Sequence, residues 1–253
     1  MDLQIVNPNP KYTPITLIAP TTRSYIHIAA EVCPPSRPGP VVAKGREKSA
    51  LLTRLKEFAR QLEQRDAVEM VTVFDAVAFP PLERLPSLKE RGDAIHIARF
   101  DIVVLIETTS PAAARDVQTA PPYLSLLALL ASKARDMHVI AARNAKRVGD
   151  VDKTRKGLFL FNYFVADDAD VMLQLWDYLA GWYETETGLD NSTLLVPLEG
   201  ERSDYLAINN ARWDGGPLRL LARQLPKKSF RNYMLANLAT NHVGVMPVLY
   251  RLA

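Results

Sequence analysis

Residues 157–198 read GLFLFNYFVADDADVMLQLWDYLAGWYETETGLDNSTLLVPL, and this stretch contains the signals of three successive secondary-structure elements. Its first part, 157–165, is a run of apolar and aromatic residues that predicts a strand. The acidic pair at 167–168 offers an N-cap for a helix, whose apolar residues then recur at helical spacing. Gly188 is typical of a helix end, and the residues at 193–198 predict a second strand. The unit is a strand, a helix and a strand.

The rest of the C-terminal half extends this unit. A strand is predicted at 205–212, and Pro217 begins a second helix that Pro226 interrupts. A last strand is predicted at 243–252. The order of elements is therefore strand, helix, strand, strand, helix, strand.

The N-terminal half predicts the same order, again with its second helix broken by proline. The predicted elements are a strand at 25–32, a helix at 49–65 capped by Ser49, strands at 68–78 and 100–107, a helix from Ser110-Pro111 broken at Pro121-Pro122, and a strand at 137–142.

This order is that of the ferredoxin-like βαββαβ unit, present twice, which predicts an α+β fold of two tandem units. In this respect the chain resembles the dimeric α/β-barrel superfamily, in which two such units pack sheet to sheet. We expect a proline-rich extended arm at 1–23, a first unit at 24–144, a basic linker at 145–156 and a second unit at 157–253. The resemblance implies a cavity between a sheet and its own helices, and it includes cofactor-free monooxygenases, cyclases, isomerases and heme proteins.

Composition excludes several classes of protein. The chain has 253 residues, is 48% hydrophobic and carries a net charge of +3, which gives no electrostatic reason for a nucleic-acid or membrane partner. The single cysteine, Cys33, excludes a disulfide framework and a thiolate-cage zinc site. No apolar run reaches the roughly 20 residues of a membrane span, and no signal peptide is visible, so a cytoplasmic location is expected.

The densest group of candidate site residues lies in the predicted strand at 205–212 and just after it. Alternation places Asn209 on one face and Asn210 with Arg212 on the other. Asparagine is depleted in strands, so these residues predict hydrogen bonds to a substrate oxygen or oxyanion, with Asp214 orienting Arg212. The alternative is that the asparagines satisfy a β-bulge and that the aspartate only turns the chain.

A second group lies on the stretch quoted above. Asn162 and Tyr163 interrupt an apolar strand, and the tyrosine is a candidate proton relay or, alternatively, an ordinary buried residue. Aromatic residues on the following helix are candidate walls for a flat ligand, or else core packing. The predicted catalytic residues are Arg212, Asn209, Asn210 and Tyr163, and the predicted substrate-binding residues are Asn162, Trp176, Trp182, Tyr183, Trp213 and Asp214.

Three functions are consistent with these features. The first is a cofactor-free monooxygenase or cyclase acting on a small apolar or aromatic molecule. The second is a heme protein in which His242 or His27 is the iron ligand, although the four histidines show no metal-ligand spacing. The third is a non-catalytic binding or assembly module. The insertion at 79–97 is consistent with either a cavity lid or a homodimer contact.

Overall fold

The computed structural model describes residues 2–33, 45–80 and 86–253. Within them, helices and strands alternate in a mixed α/β chain, and none of the described helices is long and apolar enough to cross a membrane. The strands are β1 Ser24–Glu31, β2 Val68–Ala78, β3 Ile102–Thr108, β4 Asp136–Gly149, β5 Leu158–Ala166, β6 Ser192–Pro197, β7 Ala207–Trp213 and β8 Val243–Leu252. The helices are α1 Arg46–Leu62, α2 Pro86–Lys89, α3 Pro111–Gln118, α4 Pro121–Ala131, α5 Ala169–Thr187, α6 Pro217–Gln224 and α7 Ala236–Thr240, with a 3₁₀ turn at Gly92–Ala94 and a π-helix at Phe230–Leu235.

All eight strands pair antiparallel in one closed barrel, in the order β1-β3-β2-β8-β5-β7-β6-β4. The first four strands are contiguous around the barrel and so are the last four. The two sets meet edge to edge, because β2 pairs with β8 and β4 pairs with β6. Among the described strands, closure leaves no edge unpaired, and the two sets join through these edge pairings.

Strand alternation fills the barrel with aromatic side chains. On β5, Phe159, Phe161 and Tyr163 point inward, and none of them is exposed. They pack against residues from the other half, such as Phe74, whose ring centroid lies 5.0 Å from that of Phe159. The interior of an eight-stranded barrel is just wide enough to be filled by side chains, and these rings fill it here.

Helices cover the outer face of each half. In the first half, α1 and α4 place Leu52, Leu55, Leu126 and Leu130 against the sheet, each with 1% exposure or less. In the second half, α5, the π-helix and α7 cover the outer face. Helix burial of this kind follows from the apolar stripes in the sequence.

Several helix ends match the sequence prediction. Ser110 accepts a hydrogen bond from the Ala113 N–H at 3.2 Å, and Asp168 accepts from the Val171 N–H at 3.1 Å. Gly188 ends α5 in the left-handed region with φ 74°. Ser49, in contrast, was wrong as a cap, because α1 begins three residues earlier at Arg46.

The predicted linker is partly strand. β4 continues to Gly149, well beyond the predicted end at 142, so residues 145–149 pair with β6. The segment after β4 then plugs one end of the barrel. Val151 is buried in the interior cluster, and the Lys153 ammonium lies 2.8 Å from the Glu107 carboxylate. The predicted basic linker at 145–156 therefore consists of the end of a strand and a segment that packs on the barrel.

The N-terminal arm is extended and lies along the helices of the second half. The Asn241 carboxamide exchanges two hydrogen bonds with the backbone of Gln4, at 2.9 and 2.7 Å. Asn237 does the same with Val6, at 2.8 and 3.1 Å. Tyr12 is buried beyond these contacts. The backbone N–H and C=O groups of Gln4 and Val6 are thus satisfied by the side-chain amides of Asn237 on α7 and of Asn241 at its C-terminal end.

The described part of the predicted insertion packs on the other end of the barrel. Leu88 is 2% exposed and belongs to the interior cluster, and the Ser87 hydroxyl donates to the Val243 carbonyl at 3.1 Å. Residues 81–85, on which the lid and homodimer predictions partly fall, lie outside the described residues.

Candidate functional site

A cavity of about 760 Å³ lies between the outer face of the second-half sheet and the helices that cover it. This volume is within the usual range for small-molecule sites, about 300–1,000 Å³. Strands β5 to β8 form one wall, and α5, α6, the π-helix and α7 form the other. The exposed Leu225 lines the cavity, which therefore reaches the surface beside α6.

Local sequence explains why the cavity forms in this half. α6 ends at Gln224, just before Pro226, and the chain resumes as a π-helix from Phe230. π-Helical turns are rare and occur often at functional sites. Ala180 on α5 and Ala211 on β7 both line the cavity, and their small side chains fill little of it. In the first half, the broken second helix instead packs its leucines onto the sheet.

Two asparagines form the polar patch of the sheet wall. Asn162 on β5 and Asn209 on β7 are direct cross-strand partners, and both line the cavity. The Ser192 hydroxyl donates to Asn209 Oδ1 at 2.7 Å, which leaves the amide N–H groups of Asn209 free for a ligand. Among the described residues, Asn162 has no side-chain hydrogen bond. The two carboxamides can therefore donate together to one ligand oxygen.

The helical wall carries a second polar pair. The Gln224 amide donates to the Tyr183 hydroxyl oxygen at 3.1 Å, and both side chains line the cavity. Burial raises the pKa of the Tyr183 phenol, so the group stays protonated near neutral pH. Beside it, Trp213 is fixed by a hydrogen bond of 3.1 Å from its indole N–H to the Thr187 hydroxyl.

The walls are otherwise neutral. Among the described residues that line the cavity, none is Asp, Glu, Lys, Arg or His. A charged ligand would lose its hydration there without gaining a counter-ion, so the cavity suits neutral, largely apolar molecules.

The predicted catalytic residues do not form one group. Asn210, Arg212 and Tyr163 point into the barrel, on the face of the sheet opposite the cavity. Arg212 donates to the Lys156 carbonyl at 2.7 Å and to the Asp214 carboxylate at 2.6 Å. The barrel interior encloses all three side chains, so they cannot touch a ligand in the cavity.

Two of these inward residues are deeply buried in the barrel interior. Asn210 is 1% exposed, and neither polar atom of its side chain has a hydrogen-bond partner. The Tyr163 hydroxyl lies 3.4 Å from His27 Nε2, and burial raises the pKa of this phenol. The predicted proton relay at Tyr163 therefore has no path from the cavity in this structure.

The predicted substrate-binding residues also divide. Trp176, Tyr183, Trp213 and Asn162 line the cavity. Trp182 is fully buried on another side of α5, where its indole N–H donates to the Ser229 hydroxyl at 3.1 Å. The Asp214 side chain is exposed beside Arg212 and lies outside the cavity.

The histidines do not fit a heme in this cavity. His27 is completely buried inside the barrel, where burial holds the pKa of its imidazole well below the ordinary value. His242 lies in a turn on the surface, with φ 51° and its Nδ1 3.9 Å from the Asp167 carboxylate. Neither lines the cavity, which thus lacks the iron ligand predicted from the sequence. In the described part of the chain, no cluster of three or more His, Cys, Asp or Glu residues could hold a metal ion.

Sequence reasoning missed two polar residues of the site. Ser192 begins β6 and Gln224 ends α6, and neither belongs to a motif. The break at Pro226 was the available signal for Gln224, because a helix end beside a cavity turns its last polar residue inward. Nothing in the sequence marks Ser192.

Comparisons with known proteins give a fold and no family. No family model matches the chain, and no curated protein matches it. A solved structure of an anthrone oxidase-like protein is similar with a TM-score of 0.62, at 11% identity over 91% of each chain. A proposed monooxygenase from Fusobacterium nucleatum is similar with a TM-score of 0.55, at 7% identity over 92% of this chain and 93% of that one. At such low identity, these similarities show a shared fold alone.

Proposed function

We propose that this chain is a cofactor-free oxygenase that binds a neutral, flat aromatic ketone or phenol in the cavity of its second half. The observation that carries the proposal is the pair of asparagines, Asn162 and Asn209, which face an apolar cavity from adjacent strands. Free carboxamides are costly in such a place unless a ligand oxygen completes their hydrogen bonds. The names of the two similar structures, an anthrone oxidase-like protein and a proposed monooxygenase, support this class of reaction.

The chemistry assigned to the cavity is stabilisation of an anion. A ketone such as anthrone, whose acidic C–H lies across the central ring from its carbonyl and is conjugated with it through the flanking aromatic rings, loses that proton and becomes an enolate, which reduces molecular oxygen directly. The amide N–H groups of both asparagines bind the enolate oxygen more strongly than the neutral carbonyl, so they lower the barrier. Because the described walls hold no base, we assign the departing proton to solvent. Trp176 and Trp213 form flat walls for the rings.

Oxygen consumption tests the proposal. Anthrone is a suitable probe, and its oxidation consumes one O2 and yields anthraquinone and one water. The protein is treated with a chelator and checked for the lack of a Soret band. The proposal predicts catalysed oxygen uptake with that stoichiometry, and uptake at the uncatalysed rate would contradict it.

A second candidate is a non-catalytic carrier of the same ligand. The lack of an Asp, Glu, Lys, Arg or His side chain on the described walls favours it, because most catalytic sites contain a group that transfers protons near neutral pH. Quenching of Trp176 and Trp213 fluorescence by anthraquinone, without oxygen uptake on anthrone, would identify a carrier.

We also propose the domain organisation. Strand order β4-β1-β3-β2 in the first half and β8-β5-β7-β6 in the second supports two fused ferredoxin-like units, the first from 24 to the end of β4 at 149 in place of the expected 144 and the second at 157–253, with an arm at 1–23. The expected homodimer and cytoplasmic location stay predictions.

A further inference from the structure

We propose that Tyr183 and Gln224 form a second polar subsite, which binds an oxygen at the far end of the ligand that Asn162 and Asn209 hold. The inference rests on the proposed binding function and extends it, because it requires a ligand with oxygens at two separated positions.

The hydrogen bond between the two side chains leaves their remaining polar groups to the cavity. Gln224 donates to the Tyr183 oxygen, so the phenol O–H is still available as a donor and the Gln224 carbonyl as an acceptor. Among the described residues, neither group has another partner. A ligand hydroxyl could accept from the phenol and donate to the carboxamide at the same time.

Neighbouring contacts fix the subsite in place. The Tyr183 ring lies 6.0 Å from the Trp213 ring, centroid to centroid, and the Thr187 hydroxyl binds both the Tyr183 carbonyl and the Trp213 indole. Tyr183 lies on α5 and Trp213 lies on β7. Because these residues contact each other, the subsite is held by both walls of the cavity. Such a preorganised group discriminates between ligands more sharply than a mobile one.

β7 gives the scale of the separation between the asparagines and the subsite. Trp213, whose ring centroid lies 6.0 Å from that of Tyr183, is four residues beyond Asn209 on β7, which at the rise of a strand is about 13 Å between the Cα atoms of Asn209 and Trp213. Ala211 lies between them and lines the cavity with no bulk. The span corresponds to a ligand of about three fused rings, with one oxygen at each end.

Probe affinities test the subsite. We compare 2-hydroxyanthracene with 2,6-dihydroxyanthracene by fluorescence titration, because the second differs only in the distal hydroxyl. The subsite predicts that the diol binds roughly tenfold more tightly, the usual effect of one well-placed hydrogen bond. Tyr183→Phe and Gln224→Leu should each reduce that advantage to about twofold or less. Tyr163→Phe, a buried tyrosine on the other face of the sheet, is the matched control and should leave both affinities unchanged.

The outcomes separate the two proposals. Equal affinities of the native protein for both probes, or an advantage that survives both Tyr183→Phe and Gln224→Leu, would overturn the subsite and leave the binding function standing. Failure of both probes to bind the native protein would overturn the proposed function and the subsite with it. Thermal unfolding of each variant checks that it is folded. The two substitutions lie on different helices, so if one variant does not fold, the other still tests the subsite.

Discussion

Replacing Asn209 by leucine removes half of the polar patch and keeps the number of heavy atoms and the branching of the side chain. In the structure, the amide N–H groups of Asn209 are free because its oxygen accepts from Ser192. The serine hydroxyl also lies 3.3 Å from the Asn210 carbonyl, so it keeps a partner after the substitution. The change therefore removes a donor to the ligand with little other disturbance.

The expected loss depends on the charge of the ligand oxygen. A hydrogen bond to a neutral carbonyl is worth about 0.5–1.5 kcal/mol, which weakens binding of a neutral ligand about 2- to 12-fold when lost. A hydrogen bond to the enolate oxygen is worth about 1.5–3 kcal/mol, which lowers kcat/KM about 12- to 150-fold. Asn209→Leu should thus reduce kcat/KM for anthrone more than it reduces the affinity for anthraquinone.

The neighbouring residue provides the matched control. Asn210→Leu is the same substitution one position away, on the face that points into the barrel. Because both polar atoms of Asn210 are buried without partners, the leucine variant should be as stable as the native protein or more stable. Its oxygen uptake and ligand affinity should not change.

The assay is oxygen uptake with anthrone, together with fluorescence titration by anthraquinone. If Asn209→Leu changed neither quantity, the assignment of the patch would be refuted. A loss of activity in Asn210→Leu equal to that in Asn209→Leu would also refute it, because the effect would then not depend on the face of the strand.

Three further predictions concern stability. Asn237→Ala removes two of the hydrogen bonds that hold the arm and should lower the free energy of unfolding by about 1–3 kcal/mol in urea titrations; an unchanged midpoint would contradict this. Burial lowers the pKa of His138 to about 4, so the unfolded chain binds more protons below pH 6.5 and stability should fall as the pH drops from 6.5 to 4. His138→Gln should flatten that fall, and an equal slope in the variant would exclude this histidine as its source. Lys48→Met leaves two buried carboxylates, Asp75 and Asp101, without the ammonium 2.8 Å from each, and it should cost about 3–5 kcal/mol of unfolding free energy, whereas a loss below about 1 kcal/mol would show that the charges are compensated elsewhere.

Elements could be predicted from the sequence because their signals are local. The strand at Val68–Ala78 and the last strand at Val243–Leu252 have the predicted bounds, and Gly188 ends its helix as expected. β4 was predicted too short because its second part, ARNAKRVG in sequence order 142–149, is polar and basic. That part is a strand only because β6 pairs with it, and pairing partners are not visible in local sequence.

The site could be predicted only in part. Alternation separates Asn209 from Asn210, but both faces of a barrel strand are buried, so the pattern does not tell which face meets the helices. Arg212 and Tyr163 were for this reason grouped with residues on the opposite face. Gln224 was not predicted as a site residue because its partner, Tyr183, lies 41 residues away in the sequence.

Filling the cavity and then measuring ligand binding tests whether the ligand binds in the cavity of the second half. Ala211 lies on the sheet wall between Asn209 and Trp213, so Ala211→Phe places a ring where the ligand is expected. The cavity account predicts that anthraquinone no longer quenches Trp176 and Trp213 in this variant, and that its stability is kept because the ring occupies open space. Undiminished binding of anthraquinone to a folded Ala211→Phe variant would place the ligand elsewhere and contradict the account.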